Sequence, residues 1–400
     1  MIVKISLIHP TMYYMGGAER VVYIFAEKLS QRGHSVEIVS LKFDNAWKEM
    51  AKGSRIVFKE AGYAPSRASF FMGIELFSRK LSELINKDTE IFFAHNFPAT
   101  LAVAKFRQNI KSDTPAVWYC EEPFRFYYDQ EFLQTTFPHY RLVFTLSRLL
   151  YSRHDKIAVR NYIDLILTNS KFTLERVKEV YGVPGRVVYL ATDPQRFKPN
   201  VIVPDRIRMV KEGVDWLLFA PVSRLTFPKN VIRLVYVAKK LVESGYRFKM
   251  IITGKGYLEG RLRKIVQRLG LAKCIVFDHI PEDELPYFYA FSDVVVYPSL
   301  NEPFGLAAVE AMASGTAPVV ANTGGPSETV IDGVTGIHVN PYDISSISKG
   351  ITTLLCRKDL KEMGQQGRKR VLINFTWERT INECERYLQM AAGLGGKQCE

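Results

Sequence analysis

The sequence predicts two doubly wound α/β domains, each a parallel sheet covered by helices, facing a cleft. Three observations predict it. The chain has 400 residues, which suits two domains of about 150–200 residues better than one core. Strand-like apolar runs alternate with helix-period segments from the start to about residue 195, the signature of a parallel sheet covered on both faces. After the stretch 199–215, PNVIVPDRIRMVKEGVD, the alternation starts again. Its two prolines and mixed charge read as an interdomain linker. The expected division is 1–198, 199–375, and a terminal segment 376–400 that crosses back to pack on the first domain.

The elements follow in order. Ile2 to Ile8 reads as the first strand, and Ala18 to Arg32 as an apolar-periodic helix ending at Gly33. Val36 to Leu41, Ile91 to Ala94, Ala116 to Tyr119 and Leu165 to Thr168 are further strands. Beyond the linker, Trp216 to Ala220, Lys249 to Thr253, Cys274 to Phe277, Val294 to Tyr297 and Ala317 to Val320 read as strands. Val231 to Ser244, Tyr257 to Leu269 and Leu285 to Ala290 read as the helices between them. The last helix is expected over Thr376 to Ala391, opening on a Thr-Trp-Glu segment.

Bulk properties narrow the function. Five scattered cysteines show no zinc or redox spacing, so a reducing, cytoplasmic setting is expected. Met1 leads straight into a strand-like run rather than a signal peptide. No uncharged apolar run approaches the ~20 residues that span a bilayer. The formal net charge is +13, which suits a polyanionic substrate or an anionic membrane surface at the cytoplasmic face. No nucleic-acid module is recognisable, so no nucleic-acid partner is expected. No Asp-x-Asp and no His/Cys cluster with metal spacing appears, so neither a metal nor a cofactor is expected.

The most informative motif is PSLNEPFGLAAVEAMASG, from Pro298 to Gly315. It reads as a loop after a strand, then a helix with Pro303 in its first turn and Gly315 at its stop. Glu302 would lie at the helix mouth and Glu310 about two turns in, roughly 12 Å of rise if wholly helical. A helix N-terminus attracts a diphosphate, and a carboxylate further along can accept hydrogen bonds from a ribose. Ala307, Ala308, Ala311, Met312 and Ala313 surround Glu310 with apolar neighbours. A buried carboxylate there requires a partner or a ligand.

Other loops at predicted strand ends carry candidates. Gly16 and Gly17 open the first helix and let backbone approach a phosphate or sugar, although alone they also read as a plain turn. Arg224 and Lys229 follow the second domain's first strand, where two cations can neutralise a pyrophosphate leaving group. Solvated basic loop is the competing reading. Gly324-Gly325 precedes another helix start. His95 follows the Ile91 to Ala94 strand. Cys120-Glu121-Glu122-Pro123-Phe124-Arg125 follows the next, with Phe126, Tyr127, Tyr128, Phe132, Phe137 and Tyr140 after it. These aromatics fit a sugar or lipid site or a plain core. The basic, leucine-bearing stretch Arg141 to Arg160 fits either an anionic membrane surface or a helix packed on its own domain.

Together and in this order, these motifs resemble the retaining glycosyltransferases of family 4, a group with the GT-B fold, across essentially the whole chain. The resemblance is strongest in NEPFGLAAVEAMASGTAPVVANTGGPSETVIDGVTGIHV, in GGAERV, and in NSKFTLERVKEVYGVPGRVVYLATDPQRFKP. It implies a nucleotide-sugar donor held mainly by the second domain. Glu310 would bind the donor ribose, and Glu302 would lie near the transferred sugar. Arg224 and Lys229 would hold the diphosphate. Phe304, Gly305 and Leu306 would supply backbone N–H groups, Gly16 and Gly17 a loop over donor and acceptor, and His95 a group near the reacting sugar. CEEPFR resembles a subgroup pattern with His where Glu121 stands, which gives Glu121 and Arg125 an acceptor-side expectation. His279 stands where the family commonly has Gly.

The expected activity is metal-independent transfer of a hexose to a lipid-linked or polysaccharide acceptor, with GDP-mannose as the first donor. A hydrolysing 2-epimerase or a non-catalytic sugar-nucleotide-binding protein are the alternatives.

Overall fold

The computed structural model describes residues 2–135 and 141–393; Phe137, Tyr140 and Cys399 lie outside the described residues. The chain divides into two compact units. One runs to Val188 and resumes at Thr380; the other is Tyr189–Arg379. Each is a Rossmann-like domain built on a parallel sheet.

In the first unit the strands are β1 (Lys4–Ile8), β2 (Ser35–Ser40), β3 (Val57–Glu60), β4 (Ile91–His95), β5 (Ala116–Cys120), β6 (Leu165–Thr168) and β7 (Arg186–Val187). Among the described residues they form one parallel sheet in the order β3-β2-β1-β4-β5-β6-β7. β4 and β5 are buried at every residue, as expected of parallel strands covered on both faces. β3 and β7 were not legible in the sequence. VFKE is half-exposed at a sheet edge and RV is only two residues long, so neither carries a clear apolar run.

The helix Gly17–Gln31 buries Val21, Val22, Phe25, Ala26 and Leu29, a stripe at helical spacing. Strand order reverses direction between β1 and β4. In such sheets ligands bind outside the carboxyl ends of the strands at that switch point. From Thr380 onward the helix Trp377–Ala391 groups with this unit. There Glu385 accepts from Arg32 at 2.5 Å and contacts His34 at 3.0 Å.

In the second unit the strands are β8 (Trp216–Arg224), β9 (Phe248–Lys255), β10 (Ile275–Asp278), β11 (Val294–Tyr297), β12 (Pro318–Ala321) and β13 (Ile337–Val339). Among the described residues they form a parallel sheet in the order β10-β9-β8-β11-β12-β13. The switch point lies between β8 and β11. Leu218, Ala220, Met250, Ile252, Val294 and Val296 share one core with the helices above them. The stretch expected as plain linker carries a helical turn, Asp205–Arg208, and a 3-10 turn, Met209–Lys211. Pro204 opens the first turn and Ile207 is buried beneath it, so local burial holds a segment that composition marks as loop.

Candidate functional site

The second unit gathers its candidates at the carboxyl ends of β8 and β11. Arg224 is the last residue of β8 and is exposed. Lys229 closes the 3-10 turn Phe227–Lys229. Its Nζ donates to Glu302 Oε2 at 2.7 Å and to the Tyr297 hydroxyl at 2.7 Å, and lies 5.2 Å from the centre of the Tyr297 ring. Burial alone would lower the Lys229 pKa. Glu302 and the Tyr297 hydroxyl outweigh that and hold it above its ordinary value. Burial, reinforced by the Glu302 charge, pushes Tyr297 up to about 12. The ammonium therefore stays charged and Tyr297 stays a neutral phenol at physiological pH.

The two loops are tied by backbone. Leu300 N donates to Pro228 O at 2.7 Å. Asn230, at φ 59°, sends Nδ2 to Pro298 O at 3.0 Å and Pro341 O at 2.6 Å. Asparagine tolerates that left-handed conformation better than most residues. The Gly324-Gly325 loop closes the other side. Gly325 N donates to Glu302 O at 2.8 Å. A Cβ on Gly325 would sit 2.3 Å from Pro303 O, and one on Gly324 would sit 2.6 Å from Glu302 O. These glycines let one backbone lie directly against the other.

The helix after Glu302 differs from expectation. It runs Leu306–Ala313, with Gly305 before it at φ 87°. Pro303 is therefore in the loop and not in the first turn, and Glu310 lies about one turn in. The left-handed Gly305 redirects the chain, so the Glu302–Glu310 stretch is not one continuous helix. Phe304 is buried, and Leu306 is the first helical residue. Glu310 has the partner its apolar surroundings required: the Tyr289 hydroxyl donates to its Oε2 at 2.6 Å. Tyr289 is itself buried, and burial raises its pKa well above the ordinary phenol.

Tyr289, Tyr297 and Asn230 are the residues that sequence reading missed. Only Asn230, directly after Lys229, carried a local signal. His279 follows β10 and is exposed.

In the first unit, Gly16 caps the helix Gly17–Gln31 with extended backbone, and its Cβ position would meet Glu19 Oε2. Gly17 faces open space. His95 ends β4 but is sealed, packed against Phe93, Phe25 and Tyr119 at ring-centre distances of 4.4, 5.6 and 5.6 Å. Among the described residues neither ring nitrogen has a hydrogen-bond partner. Burial holds its pKa well below the ordinary value, with His9 adding to the effect, so the ring is neutral. Glu121 follows β5. Burial, then the charges of Glu19 and Glu122, push its pKa up to about 8, so it is largely protonated at neutral pH.

Arg125 is committed within its own segment. It donates to Asp129 Oδ2 at 3.0 and 3.1 Å, lies 3.6 Å from Glu122, and covers the Phe132 ring. Phe124, Phe126 and Tyr127 pack with Phe71, Phe97 and Phe144, so the described aromatics of this stretch build a core.

Comparison with known proteins adds family. Residues 211–370 match the model of glycosyl transferases group 1 and residues 15–196 that of Glycosyltransferase Family 4. An uncharacterized glycosyltransferase of Methanocaldococcus jannaschii is 30% identical over 242 residues, 58% of this chain and 61% of the relative. A GDP-mannose-dependent alpha-(1-6)-phosphatidylinositol monomannoside mannosyltransferase of Mycolicibacterium smegmatis is 30% identical over 231 residues, 55% of this chain and 60% of the relative. The chain thus spans about three fifths of the length of these curated relatives. The HepE protein of Anabaena, solved with UDP-glucose, superposes with a TM-score of 0.75 at 19% identity, covering 97% of this chain and all of that one.

Proposed function

The chain belongs to family 4 of the glycosyltransferases, and from that footing we propose that it transfers a hexose from a nucleoside diphosphate sugar to an acceptor hydroxyl, retaining anomeric configuration. One observation carries the reading most. Lys229, Glu302 and Tyr297 form a connected set at the carboxyl ends of β8 and β11, and Glu310 lies on the helix that follows. Lys229 and Arg224 supply positive charge for a leaving diphosphate, which is worth most where charge develops in the transition state. That supply supports a metal-independent reaction. Glu310, held by Tyr289, suits the ribose diol, and Glu302 suits the transferred sugar.

GDP-mannose is the proposed donor. It is supported by the CEEPFR pattern and by the Mycolicibacterium mannosyltransferase relative. The Anabaena protein solved with UDP-glucose makes UDP sugars the donors to compare. The proposed acceptor is lipid-linked or a glycan.

The test is thermal shift with GDP, UDP and ADP, then the intact sugar nucleotides, on wild type and Glu310→Ala. A shift by one nucleotide, lost in the variant, is the expected result. Arg224→Ala or Lys229→Ala should then lower turnover by about 10²–10³-fold with the fold retained. Near wild-type turnover in either would remove the diphosphate role. Free UDP and ManNAc from UDP-GlcNAc without acceptor would instead identify an epimerase.

A further inference from the structure

The helix Arg141–Tyr162 is anchored on one face and bare on the other. Inward, Phe144 packs on Phe71 and Phe126 at 4.6 and 4.7 Å between ring centres. Ser147 Oγ donates to Phe71 O at 2.8 Å. Asp155 Oδ2 accepts from the hydroxyls of Tyr128 and Tyr181, each at 2.8 Å. These contacts fix the helix's rotation.

Outward, Leu142 and Leu149 are 71% and 70% exposed, and Leu146, Leu150 and Ile157 are exposed with them. Their spacing (i, i+4, i+7, i+8, i+15) places them on a single helical face. Bare leucines grouped in this way mark an interaction surface more than isolated ones do.

The charges around this stripe have one sign. The helix carries Arg141, Arg148, Arg153, Lys156 and Arg160, and its one acid, Asp155, is turned inward and buried. Among the described residues no carboxylate pairs with Arg141, Arg148 or Arg153. Gln130 and Leu133 of the preceding helix, with Arg141, Thr145 and Arg148, line a cavity of about 180 Å³ on the flank of the helix away from the leucines. On the anchored side, the Tyr151 hydroxyl donates to Met72 O at 3.0 Å. Glu75, nearby on the next helix, is paired with Lys105.

We propose that this face of Arg141–Tyr162 docks on the surface of an anionic lipid bilayer. Leu142, Leu146, Leu149 and Leu150 enter the acyl boundary, and Arg153, at i+11 on the same face, and Arg141, exposed at the helix start, lie at the headgroup phosphates. Helices of this kind lie in the interface plane with their apolar face about 5–10 Å deep. Spanning is not the mode, since no helix of the described residues is long and apolar enough to cross a membrane. A second copy fits the face poorly. A two-fold contact would set the same arginines of both copies against each other.

The experiment is co-sedimentation of the full chain with vesicles, without donor or acceptor. Its outcome is therefore separate from that of the transfer reaction. Vesicles of phosphatidylcholine alone are compared with an equal mixture of phosphatidylcholine and phosphatidylglycerol. Wild type should bind the mixed vesicles and bind pure phosphatidylcholine weakly. Raising salt should weaken binding, as the screening length falls from about 10 Å at 0.1 M to about 3 Å at 1 M. Leu142→Asp with Leu149→Asp should lower the partition coefficient by about tenfold or more. Ile202→Asp, an equally apolar but unrelated site at 89% exposure, should leave it unchanged.

Circular dichroism and nucleotide thermal shift check that the double variant folds. Should it not, Arg141→Ser with Arg153→Ser should remove most of the preference for the anionic mixture. The proposal is overturned if wild type ignores anionic vesicles or if folded variants bind as wild type does. It is equally overturned if wild type is a dimer that the leucine variant converts to monomer.

Discussion

The hydroxyl of Tyr289 donates to Oε2 of Glu310 at 2.6 Å, although 21 residues separate them in the chain. Tyr289 comes from the helix Leu285–Phe291 and Glu310 from the helix Leu306–Ala313. The bond fixes a carboxylate in apolar surroundings, where a net hydrogen bond to a charged group is worth about 1.5–3 kcal/mol. Tyr289→Phe keeps the ring and removes the donor. Titration calorimetry with the nucleotide that stabilises wild type should show Kd raised about tenfold, near 1.4 kcal/mol. An unchanged Kd would mean that Tyr289 does not position Glu310 for the ligand.

Gly325 and Gly17 should respond unequally to alanine. A Cβ on Gly325 would meet Pro303 O at 2.3 Å and Phe304 Cα at 2.4 Å, both backbone. The Glu302 loop must then shift, at a cost of about 1–3 kcal/mol. A Cβ on Gly17 meets nothing within 4 Å, so that change should stay within about 0.5 kcal/mol. Urea unfolding of both variants makes the comparison. Equal effects would contradict this account of the Gly324-Gly325 loop.

Glu121 gives a pH signature. Its folded pKa stands near 8 against an ordinary 4.5, chiefly through burial. The neutral form is therefore favoured by folding. That stabilisation is fully present below the unfolded pKa and is lost as pH rises through the folded one. Glu121→Gln is permanently neutral. The difference in Tm, variant minus wild type, should grow between pH 4.5 and about 8 and level off above it. Differential scanning fluorimetry across that range reads it directly, and a difference independent of pH would place Glu121 in a solvated setting.

Much of this was legible before folding is considered. The strands now numbered β1, β2, β4, β5, β6 and β8–β12 announce themselves as short apolar runs, because both faces of a parallel sheet are buried. The positions of Arg224, Lys229 and Glu302 at strand ends follow from those runs. The need of Glu310 for a partner followed from its alanine neighbours. Pro303 misled because proline is as welcome in a loop as in a first helical turn, and the left-handed Gly305 decided between them.

What the sequence alone determined is the alternation of elements and the chemical character of each loop, since periodicity and turn residues act over a few positions. What only the tertiary structure decided is pairing and facing. Tyr297 meets Lys229 across 68 residues because sheet order sets β8 beside β11, and Asn230 reaches Pro341, just past β13, across 111 residues. The helix Arg141–Tyr162 has apolar residues on both sides, Phe144, Ala158 and Val159 inward and its leucines outward. Hydropathy states that such a helix has faces. Which one is covered depends on a partner surface built from distant parts of the chain, here the Phe71, Tyr128 and Tyr181 side chains that claim Phe144 and Asp155.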